Sequence, residues 1–92
     1  MFTSDGVFAD PPGFLAQAAE AARAAGAVFI ADEVQPGFGR TGAMWGFQRH
    51  GVEPDMVTMG KPMGNGHPVA GLVIKPELLE RFGGQARYFN TF

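Results

Sequence analysis

The hydrophobic residues in the first third of the chain fall first at helical spacing and then in one unbroken run. Residues 14–25 are rich in alanine, with apolar positions near i, i+3 and i+4, which predicts a helix that Gly26 terminates. Residues 28–30 (Val-Phe-Ile) form a short apolar run without alternation, typical of a parallel strand buried on both faces. Helix, glycine and strand in this order predict half of a βαβ unit.

The rest of the chain alternates short apolar runs with loops that contain glycine and proline. Strands are predicted at residues 56–59 and 69–74, and a short helix at 76–82 begins with proline, which suits a first helical turn. Loops are predicted at 5–13, 35–42 and 62–68, and a helical turn at 45–50. The fold class that follows is α/β, with mostly parallel strands and flanking helices.

Size, charge and composition exclude several classes of protein. The chain has 92 residues, which suffices for one small domain, and 46% are hydrophobic while 17% are charged, which favours a globular interior over disorder. A formal net charge of −2 gives no basic surface for nucleic acid, and the absence of cysteine excludes disulfides and thiolate chemistry. The sequence has neither a signal-peptide pattern nor an apolar run of membrane-spanning length, so we expect a cytoplasmic protein without membrane contact.

One acid and one lysine stand where ligand chemistry is expected. Asp32 follows an apolar strand, at the edge where open α/β sheets bind ligands, and Lys61 follows a second apolar strand in a glycine-rich loop. A fixed carboxylate and a fixed amine suit a pyridine-ring cofactor that carries an aldehyde. The carboxylate keeps the ring nitrogen protonated, and the amine holds the aldehyde as a Schiff base. The ordinary alternatives are a helix-capping acid and a surface lysine.

The motifs around these two residues carry a family resemblance. The segment from Asp32 to Gly42 is followed by a Pro-Asp pair and then by Lys61, which lies 61 − 32 = 29 positions after Asp32. In this order and spacing the chain resembles the class III (omega-type) pyridoxal-phosphate aminotransferases, and the likeness runs through nearly its whole length. Residues 61–68 are most similar to a branch that contains alanine–glyoxylate aminotransferases and phosphoethanolamine phospho-lyases.

The resemblance implies a fold, a reaction and a set of site residues. Residues 1–92 would be part of the large, pyridoxal-phosphate-binding domain of a longer fold type I enzyme, a homodimer. That enzyme would transfer an amino group between an amine or amino acid and an oxo acid. Lys61 would form the Schiff base and move the substrate proton, Asp32 would pair with the ring nitrogen, and Gln35 would bind the ring hydroxyl oxygen. Thr91 would contact the cofactor phosphate of the neighbouring subunit.

Three other hypotheses follow from the same residues. A phospho-lyase acting on a phosphorylated amino alcohol is the alternative within the family, and a non-catalytic fragment or interaction piece is the alternative outside it. A nucleotide hydrolase is disfavoured because Pro62 follows Lys61, Asp55 occupies the first glycine position of the phosphate loop, and the loop comes after the acid. His50 and His67 have no further ligands at metal-binding spacing, so no metal site is predicted. Lys75 is predicted to be an ordinary surface lysine, and Glu33 to be structural or to support the site residues.

Overall fold

The computed structural model describes residues 2–8 and 11–87, beginning with a small hairpin. Strand β1 (Phe2–Thr3) pairs with β2 (Gly6–Val7) in antiparallel register, with Thr3 opposite Gly6. The sequence prediction of a continuous loop at 5–13 is therefore wrong for its first residues. A two-residue strand is too short to show a periodic hydrophobic pattern in the sequence, so it is recognised only by its pairing with the strand across the turn.

Helix α1 spans Phe14–Ala24, which confirms the predicted helix. Its C-terminus is closed by a pair of backbone hydrogen bonds typical of a glycine-capped helix: Gly26 N–H donates to the Arg23 carbonyl at 2.9 Å and Ala27 N–H to the Ala22 carbonyl at 2.9 Å. Gly26 has φ 75°, a left-handed conformation that glycine adopts without steric cost. The predicted glycine stop is confirmed.

A three-stranded sheet forms the centre of the described chain. Strands β3 (Ile30–Asp32), β4 (Met56–Met59) and β5 (Gly71–Ile74) lie in that order, and helix α2 (Pro76–Gln85) follows. The β3 and β4 pair is parallel and the β4 and β5 pair is antiparallel. The α/β class with its helices is thus confirmed, while the sheet is mixed where mostly parallel strands were expected.

Burial in the sheet is lower than the sequence indicated. The predicted strand at residues 28–30 lies instead at Ile30–Asp32, and Val28 and Ile30 are 43% and 51% exposed, so burial on both faces is wrong for this segment. Among residues 2–8 and 11–87, β3 pairs with β4 alone, and the rest of the described chain covers little of its surface. Among the described residues, the buried hydrophobic side chains are those of Ala19 and Ala31.

An ion-pair cluster joins the strands at the end of the sheet where β4 begins. The Asp55 carboxylate accepts a hydrogen bond from Phe29 N–H at 2.9 Å and pairs with Lys75 Nζ at 3.1 Å, and Lys75 also contacts Glu53 at 3.2 Å. The Phe29 N–H, followed by Lys75, lowers the pKa of Asp55, while Asp55 and then Glu53 raise the pKa of Lys75. Lys75 is therefore an ion-paired structural residue rather than an ordinary surface lysine, and it lies at the opposite end of β4 from Lys61.

Candidate functional site

The parallel pairing of β3 and β4 brings the predicted acid and lysine to the same edge of the sheet. Asp32, the last residue of β3, pairs in register with Thr58, and Lys61 comes three positions after Thr58, just past the end of β4. A cavity of about 750 Å³ opens there, and Asp32, Gln35 and Lys61 all line it. Three of the four predicted site residues therefore share one cavity, while the fourth, Thr91, lies outside the described residues.

The Asp32 carboxylate is held through one of its two oxygens. Oδ1 accepts a hydrogen bond from Val34 N–H at 3.1 Å and another from the Thr58 hydroxyl at 3.1 Å. Within residues 2–8 and 11–87, no hydrogen bond to Oδ2 is found. The partners of Asp32 are a loop amide and a strand side chain rather than the amides of a helix N-terminus, so the helix-capping interpretation fails.

Lys61 has an unusual backbone conformation and an unpaired amine. Its φ is 26°, in a region that side-chain-bearing residues seldom adopt, and it begins a 3₁₀ helix (Lys61–Gly64) in which proline follows directly. Such backbone outliers are enriched at functional sites because the surrounding structure must hold them in place. The Lys61 side chain makes no ion pair or hydrogen bond with the described residues, in contrast to Lys75.

Gln35 connects the site to the N-terminal hairpin. Its Nε2 donates a hydrogen bond to the Ser4 hydroxyl at 2.9 Å, and Ser4 also lines the cavity. The amide has a second N–H and a carbonyl oxygen, so it can bind a ligand while it keeps this contact. Ser4 was not predicted from the sequence, since a lone serine 31 positions before Gln35 carries no periodic or motif signal.

Glu33 is buried and supports the loop that forms one wall of the site. It is 2% exposed, and its two carboxylate oxygens accept hydrogen bonds from Gly46 N–H at 2.8 Å and Phe47 N–H at 2.9 Å, at the start of the 3₁₀ helix Gly46–His50. Its carbonyl accepts from Gly37 N–H at 3.1 Å. A Cβ atom on Gly37 would lie 2.6 Å from that carbonyl oxygen, so this approach requires glycine. The prediction that Glu33 is structural agrees with these contacts.

Thr58 and two other residues were not predicted to contribute. Thr58 is the one polar residue of β4. Its position opposite Asp32 could not be predicted, because the sequence alone does not give the register of the two strands. The Thr41 hydroxyl lies buried in the cavity wall with no hydrogen-bond partner in the described part of the chain. Arg40 lines a smaller cavity of about 420 Å³ beside Gln35 and Lys61.

These donors and acceptors fit pyridoxal phosphate. Oδ2 of Asp32 can accept a hydrogen bond from a protonated ring nitrogen, the Lys61 amine can bind an aldehyde, and Gln35 can donate to a ring oxygen. The cavity volume is within the usual range for sites that bind small molecules, and the unpartnered Thr41 hydroxyl adds one more polar group. No group of three metal-binding side chains occurs in the described ranges, and no helix there is long and apolar enough to cross a membrane.

Comparison with known proteins identifies relatives along nearly the whole chain. Residues 3–92 match the family model described as aminotransferase class-III. The human mitochondrial protein named alanine–glyoxylate aminotransferase 2 is 52% identical over 89 residues, which cover 96% of this chain and 17% of the human protein. An Arabidopsis thaliana homologue of that protein, also named mitochondrial, is 51% identical over 81 residues, or 88% of this chain and 17% of the homologue.

Solved structures of similar proteins share the fold. A phospholyase from Arthrobacter, solved with phosphoethanolamine, has a TM-score of 0.87 at 52% identity and covers 99% of this chain and 22% of its own. An omega-transaminase from Thermomicrobium roseum has a TM-score of 0.86 at 37% identity, and the match covers 97% of this chain and 20% of the transaminase. Taurine:2-oxoglutarate aminotransferase from Bifidobacterium kashiwanohense, solved with PLP and glutamate, has a TM-score of 0.82 at 33% identity. That match covers 90% of this chain and 19% of the aminotransferase. The chain thus spans about a sixth of the length of the curated relatives it matches.

Proposed function

Because this chain belongs to the class III aminotransferases, a family of pyridoxal-phosphate-dependent enzymes, we propose that residues 1–92 are part of the cofactor-binding large domain of a longer transaminase. That enzyme transfers an amino group between an amine or amino acid and an oxo acid. The observation that carries the proposal is the single cavity lined by Asp32, Gln35 and Lys61, at the edge of the sheet where β3 and β4 end.

Each of these residues has a distinct task in the proposed site. When bound, pyridoxal phosphate supplies a protonated ring that takes up the electrons left when the substrate Cα–H bond breaks. Lys61 would hold the cofactor aldehyde through Nζ and, once substrate has replaced it, its amine would move the proton from the substrate Cα to the C4′ carbon of the cofactor. Asp32 keeps the ring nitrogen protonated. At a contact of about 3 Å and an effective dielectric of about 20, the attraction is on the order of 5 kcal/mol before desolvation.

Two further residues complete the proposed site. Gln35 donates a hydrogen bond to the ring hydroxyl oxygen through the N–H that does not contact Ser4. Thr91 is proposed to bind the cofactor phosphate of the neighbouring subunit, which makes the enzyme a homodimer. Amine, amino acid and oxo acid are then the small-molecule partners, without a nucleic acid or a membrane.

The covalent role of Lys61 can be tested directly in the full-length protein. Borohydride reduction of the cofactor-loaded enzyme, followed by digestion and mass spectrometry, should place the pyridoxyl group on the peptide that contains Lys61. Lys75, which is already ion-paired with Asp55 and Glu53, is the internal control and should remain unmodified. A pyridoxyl group on any residue other than Lys61 would overturn the assignment.

A phospho-lyase is the second candidate function. It is favoured by the likeness to the Arthrobacter phospholyase, whose 52% identity equals that of the human aminotransferase. The two reactions differ in their requirement for an oxo acid. Release of phosphate from phosphoethanolamine without any oxo acid would support the lyase, whereas an amino transfer that depends on the oxo acid would support the transaminase.

The proposed location is the cytoplasm. The names of the human and Arabidopsis thaliana relatives place those two proteins in mitochondria, so an organelle is the alternative location. Cell fractionation decides between them, since recovery of the protein with a mitochondrial marker would contradict the proposal.

A further inference from the structure

The two oxygens of the Asp32 carboxylate have unequal surroundings. Oδ1 is the acceptor in both of its hydrogen bonds, one from the backbone of Val34 and one from the side chain of Thr58. An ionised carboxylate only accepts hydrogen bonds, so the Thr58 hydroxyl must be the donor in this contact. The asymmetry leaves Oδ2 as the oxygen available to a ligand.

The contact between Thr58 and Asp32 joins two strands at a defined position. The two residues are register partners in the parallel pair. The next residue after Asp32 continues this pairing, because Glu33 N–H donates to the Thr58 carbonyl at 2.9 Å. The backbone of Thr58 is therefore fixed by the ladder, and its hydroxyl is presented from a rigid element. Val34 N–H, by contrast, belongs to the loop that follows β3 and lies only two residues from Asp32.

A carboxylate held by one local bond can still rotate about χ2, which is a broad torsion for aspartate. A second bond from another strand removes that freedom, because both donors then have to be satisfied by one oxygen. From this geometry we propose that Thr58 is a positioning residue, whose hydroxyl fixes the orientation of Asp32 so that Oδ2 faces the ring nitrogen of the cofactor. The proposal rests on the role of Asp32 in the proposed function.

The test uses the full-length protein with three variants, Thr58→Val, Thr58→Ser and Asp32→Asn. Valine has nearly the shape of threonine but lacks the hydroxyl, while serine keeps the hydroxyl and loses the methyl group. The first measurement is the dissociation constant of the apoprotein for pyridoxal phosphate. The second is the ¹⁵N NMR signal of the bound cofactor labelled at the ring nitrogen, which distinguishes protonated from unprotonated nitrogen and does not depend on turnover.

We expect Thr58→Val to weaken pyridoxal phosphate binding about tenfold, since it removes the hydrogen bond that orients the charged Asp32 carboxylate. Its ¹⁵N signal should move toward that of Asp32→Asn. Thr58→Ser should stay within about twofold of the wild type in affinity and keep the wild-type signal. Circular dichroism checks that each variant is folded, and Thr58→Ala is the second hydroxyl-free variant if valine impairs folding.

The outcomes separate this inference from the proposed function. If Asp32→Asn moves the ¹⁵N signal while the hydroxyl-free variants leave signal and affinity unchanged, Thr58 is not a positioning residue and the role of Asp32 stands. Equal losses in Thr58→Ser and Thr58→Val would also overturn the inference, because the methyl group and not the hydroxyl would be responsible. If Asp32→Asn itself leaves the signal unchanged, the pairing of Asp32 with the ring nitrogen fails, and the inference fails with it.

Discussion

The two lysines of the chain differ in their surroundings. Lys75 forms ion pairs with two carboxylates, Asp55 and Glu53, and its amine is held in the charged form by them. Lys61 has no such partner among the described residues. Its backbone has a positive φ, and the residue lines the cavity. A lysine must lose its proton before it can attack an aldehyde, and a carboxylate beside it would oppose that loss. The contrast supports Lys61 rather than Lys75 as the covalent residue.

Replacement of Asp32 by asparagine should slow catalysis without abolishing cofactor binding. The variant keeps the size of the side chain but removes the charge that favours a protonated ring nitrogen. We expect turnover to fall by about two orders of magnitude or more, and a factor of 100 corresponds to about 2.7 kcal/mol of transition-state stabilisation. Single-turnover kinetics with saturating pyridoxal phosphate measure this loss.

The matched control for that variant is Glu77→Gln, which also neutralises an acid. Glu77 lies in the first turn of α2 and is exposed, far along the chain from the cavity-lining residues. Its turnover should equal that of the wild type. Near-wild-type turnover in Asp32→Asn would remove Asp32 from the role that we propose for it.

At the scale of elements, the parallel strands β3 and β4 position the site residues. β3 places Asp32 at its last residue, and β4 ends two residues before Lys61, so the same sheet edge receives both. This arrangement could be predicted because apolar runs followed by polar residues mark the carboxyl ends of strands, and because the motif spacing matched a known family. The arrangement requires that β3 and β4 pair in parallel, and they do so in the structure.

Other elements could not be predicted from the chain itself. The β1 and β2 hairpin is too short for a periodic signal, and β5 is an apolar run whose direction relative to β4 depends on tertiary pairing. The hydrogen bond from Thr58 to Asp32 likewise depends on strand register, which a single sequence does not encode locally. The prediction of burial around residues 28–30 was wrong because apolar composition reports what a strand can bury and not what covers it.

Glu33 should govern the stability of the loop between β3 and the 3₁₀ helix Gly46–His50. In Glu33→Gln one carboxylate oxygen becomes an NH₂ group, which cannot accept the hydrogen bond from Gly46 or Phe47 N–H. Loss of a buried, charge-assisted hydrogen bond costs about 2–3 kcal/mol. If this loss lowers the free energy of local opening by the same amount, amide exchange at residues 46 and 47 should become roughly 30- to 150-fold faster.

Hydrogen–deuterium exchange followed by mass spectrometry on peptides covering residues 35–50 measures this change. Glu20→Gln is the control, since Glu20 is exposed on α1 and receives no described hydrogen bond from the loop. Exchange in that control should be unchanged. Equal protection in Glu33→Gln and the wild type would mean that the loop is held by other contacts.

At the scale of the whole molecule, the described chain lacks an interior of its own. Its radius of gyration is 14.8 Å, compared with about 12 Å expected for a compact domain of this length. Two alanines are the buried hydrophobic side chains of the described residues, and large apolar residues of β5 such as Leu72 and Val73 are more than half exposed. Hydrophobic burial is the main favourable contribution to folding, so this segment has too little of it to be stable alone.

The 92-residue segment, produced by itself, should therefore neither fold as a compact monomer nor bind pyridoxal phosphate stoichiometrically. Its exposed apolar strands and the free edge of β3 favour association with other copies or other polypeptide. Sedimentation velocity with and without pyridoxal phosphate, combined with the absorbance of bound cofactor, measures both properties. The full-length protein is the control and should sediment as a dimer with one cofactor per subunit. A compact monomeric segment with one tightly bound cofactor would show that residues 1–92 form an autonomous binding unit, and it would contradict both the partial-domain proposal and the phosphate contact proposed for Thr91 across a subunit interface.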